Sequence, residues 1–147
     1  MTVRNAAFAR AVRSAWDNIC AACGARLVVW DSGQTLVDAA HLIPRSEGGS
    51  DAPSNGIALC KNHHWAMDSF LIAPGRDLKW LASRILDDRH QTERDLIALT
   101  GRPVASRPKD ERLQPATDSL RWREEHLAQQ AAGAASTAER HSISGQR

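Results

Sequence analysis

A chain of 147 residues with a formal net charge of +2 has the size of one small domain. No apolar stretch approaches the ~20 residues of a membrane span, and the opening residues lack the apolar run of a secretory leader, so a cytoplasmic protein with no membrane partner is expected. The charge is uneven: residues 1–30 carry net +3, residues 31–99 net −3 and residues 100–147 net +2. An acidic centre between basic arms suits a metal site gripping a polyanion, although random scatter gives such totals too.

Phe8, Val12, Ala15 and Ile19 recur at roughly helical spacing, which predicts a first helix over residues 5–18 with its apolar stripe in the core. Cys20 and Cys23 follow as a Cys-x-x-Cys pair. Thr35, Leu36 and Val37 favour a strand running to His41. Pro44 to Ser54 is rich in Pro, Ser and Gly and reads as loop, and Ile57 to Leu59 is long enough for a second strand. Cys60 and His63 then form a Cys-x-x-His pair. Asn62 is the expected N-cap of a helix from His63 to about Phe70. On that helix His64 and Asp68 share a face, the spacing by which one helix offers two ligands to one ion.

Further on, Pro74-Gly75 lies between two short apolar pieces of Ile72 to Trp80, predicting a hairpin. Leu81 to Leu99 permits a helix. Gly101 to Pro115 holds three prolines and reads as an extended connector. Thr117 to Gln130 predicts another helix with Leu120 and Leu127 on one side, and Ala131 to Arg147, poor in large apolar residues, is expected to be disordered. With two Phe and no Tyr, the core needs its Trp residues, so Trp16, Trp30, Trp80 and Trp122 are assigned to core volume. Trp65, beside His64, is the exception to test as a nucleic-acid contact.

Cys20, Cys23, Cys60 and His63 together make a tetrahedral donor set for structural zinc, because a two-residue gap lets both members of a pair reach one ion from a tight turn. The set uses all three cysteines. A redox dithiol at Cys20 and Cys23 with Cys60 in the core is the alternative, but it leaves the matching Cys60 and His63 spacing unexplained. Adjacency leaves the order of His63 and His64 open. The gap that mirrors Cys20 to Cys23 favours His63 for zinc.

Taken in order, the Cys-x-x-Cys, the His41-Leu42-Ile43-Pro44 run, the Gly48-Gly49 turn, Asn55 and the Leu59-Cys60-Lys61-Asn62-His63-His64 run resemble the HNH endonuclease family, and most of all its restriction-type branch. The resemblance covers roughly residues 8–80. It implies an α+β fold: a small ββα-metal core with a structural zinc knuckle, flanked by helices. Residues 1–100 would form the nuclease domain, 101–130 a connector and a C-terminal helix packing on or near it, and 131–147 a disordered tail.

The resemblance also implies roles. His41 would be the general base, since a neutral imidazole whose other nitrogen is held can take a proton from the attacking water. Asn55 would brace the loop and orient His41, and His64 would bind the catalytic ion, Mg²⁺ or Mn²⁺. Many members carry Asp just before the first histidine, where this chain has Ala40. Asp68 is the candidate replacement because it offers the hard oxygen such ions prefer. Asp38 is the weaker competitor, since strand alternation points it with Ala40 and away from His41. Arg45 and Lys61 are the first choices for phosphate contacts.

The expected function is therefore a metal-dependent DNA endonuclease that leaves 5′-phosphate and 3′-hydroxyl ends, in restriction or defence. With no second module recognisable for reading a sequence or a modified base, the expectation is cutting with little preference, dependence on a specificity partner, or a homodimer that cuts both strands. The alternatives are an inactive zinc-stabilised nucleic-acid-binding module, suggested by Ala40, and, more remotely, a zinc-bound redox sensor.

Overall fold

The computed structural model describes residues 3–127. The expected disorder of residues 131–147 lies outside them. The chain opens with α1 (Val3–Ala15), whose Phe8 and Val12, followed by Trp16, are buried at the i, i+4, i+8 spacing of one helical face. The central hairpin pairs β1 (Val37–His41) with β2 (Gly56–Cys60) in antiparallel register, Val37 opposite Cys60 and His41 opposite Gly56. This register puts Cys60 at one end of the hairpin and His41 at the other. Helix α1 seats closely on the His41 end, because a Cβ at Gly56 would lie 2.4 Å from Val12 Cγ2 and 2.9 Å from the Phe8 ring.

β2 passes directly into α2 (Lys61–Asp68), with Cys60 as N-cap. Asn62 is thus one residue inside the helix, a correction to its expected capping role. The strand needs no connector, since Cys60 keeps extended backbone angles and its side chain is committed elsewhere. The predicted hairpin is present as β3 (Ile72–Pro74) and β4 (Trp80–Ala82). Only Gln91–Ile97 of the 81–99 segment is helical, as α3. Trp80–Ala82 is drawn into the β4 pairing, and Asp87 binds Arg89 N and the Arg89 guanidinium in a turn that delays the helix.

The connector is extended but firmly tied down. Trp80 N donates to Arg102 O, Val104 N to Leu78 O, Ala105 N to Ala21 O, and Ala116 N to Ser54 O. It leads to α4, helical over 117–127, which buries Ser119, Leu120, Arg123 and Leu127. Trp80 Nε1 also donates to Ala21 O at 2.9 Å, fastening β4 to the cysteine knuckle. Trp16 and Trp80 are fully buried, as the composition demanded, but Trp30 is 93% exposed and Trp65 67% exposed. Assigning Trp30 to the core is therefore corrected: it lies in a short excursion closed by one Val28–Thr35 bridge, too small to fold over an indole. No helix among the described residues is long and apolar enough to cross a membrane.

The loop between β1 and β2 depends on two glycines. Gly48 has φ +86°, in the left-handed region, and a Cβ at Gly49 would lie 1.7 Å from Ile43 O. Gly49→Ala is expected to destabilise the protein by about 2 kcal/mol or more, the cost of forcing an extra carbon into packed backbone. A lowered urea midpoint at unchanged slope would register it.

Candidate active site and metal centre

Four donors converge where the knuckle meets the start of α2. One donor atom each from Cys20, Cys23, Cys60 and His63 lies within 4.8 Å of all the others. His63 Nδ1 is the ring atom facing the thiols, 3.1 Å from Cys60 Sγ and 3.8 Å from Cys20 Sγ. The sulfurs are poised unequally. Burial opposes ionisation of Cys20, yet His63 and nearby main-chain N–H groups outweigh it and lower its pKa to about 6. Burial pushes Cys23 up to about 12 and raises Cys60, and the neighbouring Cys20 adds to both. Three thiols packed this closely ionise together only if a cation neutralises them, and a Cys₃His set at this spacing suits structural zinc.

On the next residue of α2, His64 stands between two carboxylates. Its Nδ1 is 3.0 Å from Asp38 Oδ2 and its Nε2 is 3.1 Å from Asp68 Oδ2. The bond to Asp68 raises the His64 pKa, burial opposes the rise, and Asp38 adds to it. Asp38 also pairs with Lys61. Burial works against ionisation of Asp38, but His64 and Lys61 hold its carboxyl below the ordinary range. Alternation does point Asp38 with Ala40, but that side faces α2, so Asp38 reaches His64 after all. Ala40 is fully buried. The two carboxylates sit on opposite ring nitrogens of His64, so the imidazole can share an ion with one of them, and an imidazole with a carboxylate oxygen suits magnesium or manganese.

His41, at the far end of β1, stacks on Phe8 with ring centroids 4.1 Å apart, and its Nε2 is 2.9 Å from Asp51 Oδ1. A carboxylate can only accept, so Nε2 carries the proton and Nδ1 is the basic atom. Asp51 is in turn placed by Asn55. The Asn55 side chain, 3% exposed, donates to Ser50 O and Ile43 O and accepts from Ile43 N, at 2.9–3.0 Å. The amide therefore ties both ends of the loop together, one residue away from the carboxylate that holds His41.

Residues 20–73 match the family model described as HNH endonuclease. That segment is similar to the HNH endonuclease family. The chain's fold is similar to a solved structure described as a modification-dependent TagI restriction endonuclease, with a TM-score of 0.61 and 23% identity. That alignment covers 83% of this chain and 38% of the other, so the chain spans well under half the length of that protein. No curated protein matches it.

One residue in contact with these elements lies well beyond the matched segment. Arg123 of α4, its side chain 1% exposed, donates through Nε to Leu42 O at 2.6 Å, through Nη1 to Met67 O at 2.9 Å and through Nη2 to His41 O at 3.1 Å. Burial lowers its pKa to about 10, against the pull of Asp68, and it stays charged at neutral pH. Sequence reasoning missed both Arg123 and Asp51. A signal for the first was present: Arg123 falls between Leu120 and Leu127 on the apolar stripe of α4, where an unpaired charge is costly. Of the expected phosphate contacts, Lys61 borders a cleft it shares with Arg13, Gln34 and Asp38. Arg45 reaches out to Asn5 and lies 3.7 Å from Asp51.

Proposed function

We propose that the chain is a metal-dependent DNA endonuclease in which His41 is the general base and His64 with Asp68 holds a single divalent ion. The observation that carries this reading is the separation of two oriented histidines, His41 fixed by Asp51 and His64 flanked by carboxylates. A bound magnesium or manganese ion would polarise the scissile phosphate and stabilise the departing 3′ oxygen. His41 Nδ1 takes the proton of the attacking water while Asp51 keeps the ring turned and stabilises the imidazolium that forms. Asn55 holds the loop that carries Asp51. Lys61, Arg45 and Arg13 give positive charge along the approach, suited to phosphates and without base reading.

Asp68 is favoured over Asp38 as the second ligand because its side chain is the more exposed, 55% against 31%, and it lies on the Arg123 side. Zinc in the Cys20, Cys23, Cys60 and His63 cluster has a separate, structural role. The nuclease unit includes the connector and α4, which hydrogen-bond into residues 1–100. Ala40 suggested an inactive binding module, but two carboxylates flank His64 without it, which supports catalysis. The described fold neighbour favours a role in restriction or defence, with sequence or modification specificity supplied from outside the described residues, by a partner or by a second copy.

The test is nicking of supercoiled plasmid in Mg²⁺ or Mn²⁺ by protein of confirmed zinc content. Cleavage abolished by EDTA supports the reading, and DNA binding without cleavage in any metal would replace it with the binding module. Asp51→Asn is expected to lower kcat on the order of 10²-fold with KM little changed, as loss of the group that orients a catalytic base does. Single-turnover rates at saturating protein would measure it.

A further inference from the structure

We infer that Arg123 is a positioning residue of the nuclease site, one guanidinium that holds the backbone of His41 and the carboxylate of Asp68 in a fixed relation. The inference rests on the nuclease reading and adds to it a component from outside the matched segment. Arg123 Nη2 is 3.1 Å from His41 O and 3.5 Å from Asp68 Oδ1. The same side chain binds Leu42 O and Met67 O. It therefore spans the last residues of β1 and of α2, the two elements that carry the base and the ion ligands.

A plain staple between these ends would not need a charge. Burying a guanidinium costs several kcal/mol before its partners repay it, and an apolar side chain such as Leu120 or Leu127 packs α4 without that cost. What a guanidinium adds is direction. The two Asp68 oxygens are divided, Oδ1 toward Arg123 and Oδ2 toward His64 Nε2. Asp68 is 55% exposed on its side chain and would otherwise be held by His64 alone. The planar fork offers donors at fixed angles that a lysine ammonium cannot reproduce. Phe70 and Trp122, with centroids 5.5 and 5.1 Å from the guanidinium carbon, hold it in place through their ring faces.

The experiment compares full-length, zinc-loaded wild type with Arg123→Lys, Arg123→Met and, as a packing control on the same helix, Leu120→Ala. All are assayed well below their melting temperatures. Mn²⁺ affinity by electron paramagnetic resonance and single-turnover cleavage against Mn²⁺ concentration are the readouts. Arg123→Lys is expected to fold and to weaken Mn²⁺ binding about 10-fold, with a lower cleavage rate at saturating metal and partial recovery relative to Arg123→Met. Leu120→Ala is expected to lose stability and keep the wild-type Mn²⁺ affinity. Wild-type affinity and rate in both Arg123 variants, or a metal defect equally present in Leu120→Ala, would overturn the inference. Failure of both Arg123 variants to fold would assign Arg123 a structural role and overturn it too. A wild-type protein that neither binds Mn²⁺ nor cleaves would instead sink the nuclease reading itself.

Discussion

Removing zinc from the purified full-length protein is expected to unfold it cooperatively. The ion would join the knuckle after α1, the last residue of β2 and the first turn of α2, which supply Cys20 and Cys23, Cys60, and His63. Structural zinc in small modules contributes about 10–16 kcal/mol of binding free energy at neutral pH, and a whole domain is stable by only about 5–15 kcal/mol. Without the ion the three thiols compete for ionisation, and the knuckle loses the reason to close. Trp80 gives a convenient probe, because its indole N–H binds Ala21 O inside the knuckle. Chelation should red-shift tryptophan emission and abolish the far-ultraviolet signal, with recovery on adding zinc but not magnesium. Cys60→Ser should behave like the chelated protein. A native melting curve after complete zinc loss would refute the structural role.

His41→Ala is expected to lower the cleavage rate by about 10²–10⁴-fold, the contribution of a positioned general base. The fold should survive. The side chain lies at the rim of the hairpin, and its loss removes the stack on Phe8, a contact worth about 1 kcal/mol, and the hydrogen bond to Asp51. Zinc content should be unchanged, and Mn²⁺ affinity should stay within a few-fold of wild type, since His41 is assigned to the water and not to the ion. His64→Ala, by contrast, should lose Mn²⁺ affinity along with activity. Plasmid nicking and Mn²⁺ titration on the two variants therefore separate base from ligand. Equal loss of metal binding in both would reassign His41 to the ion.

Much of the site could be read along the chain because its parts are held by short spacings. Two-residue gaps bring Cys20 to Cys23 and Cys60 to His63, and a four-residue gap on a helix brings His64 to Asp68. The strand before His41 was legible from β-favouring residues, that at Ile57 from a short apolar run, and the hairpin from the Pro74-Gly75 turn signal. The misreadings occurred where local preference met a competing use of the same residues. Asn62 is a good cap by type, but β2 runs straight into α2 and Cys60 takes that position. The 81–99 segment has helical character, but strand pairing at Trp80–Ala82 and the Asp87–Arg89 turn leave only Gln91–Ile97 in a helix.

By itself the sequence determined the Cys-x-x-Cys and Cys-x-x-His pairs and the His64–Asp68 spacing, which depend on gaps of a few residues, while the ββα frame and the reading of His41, Asn55 and His64 came from the ordered resemblance to the HNH endonuclease family. Only the tertiary structure decided what surrounds them. Asp51 reaches His41 because Asn55 folds the glycine loop back, Asp38 reaches His64 because α2 packs on its side of the hairpin, and Arg123 reaches His41 O across a separation of 82 residues. Such contacts have no local period. They arise from the packing of α1, α2 and α4 around one hairpin, in which a buried charge and a buried amide must find partners wherever the fold provides them.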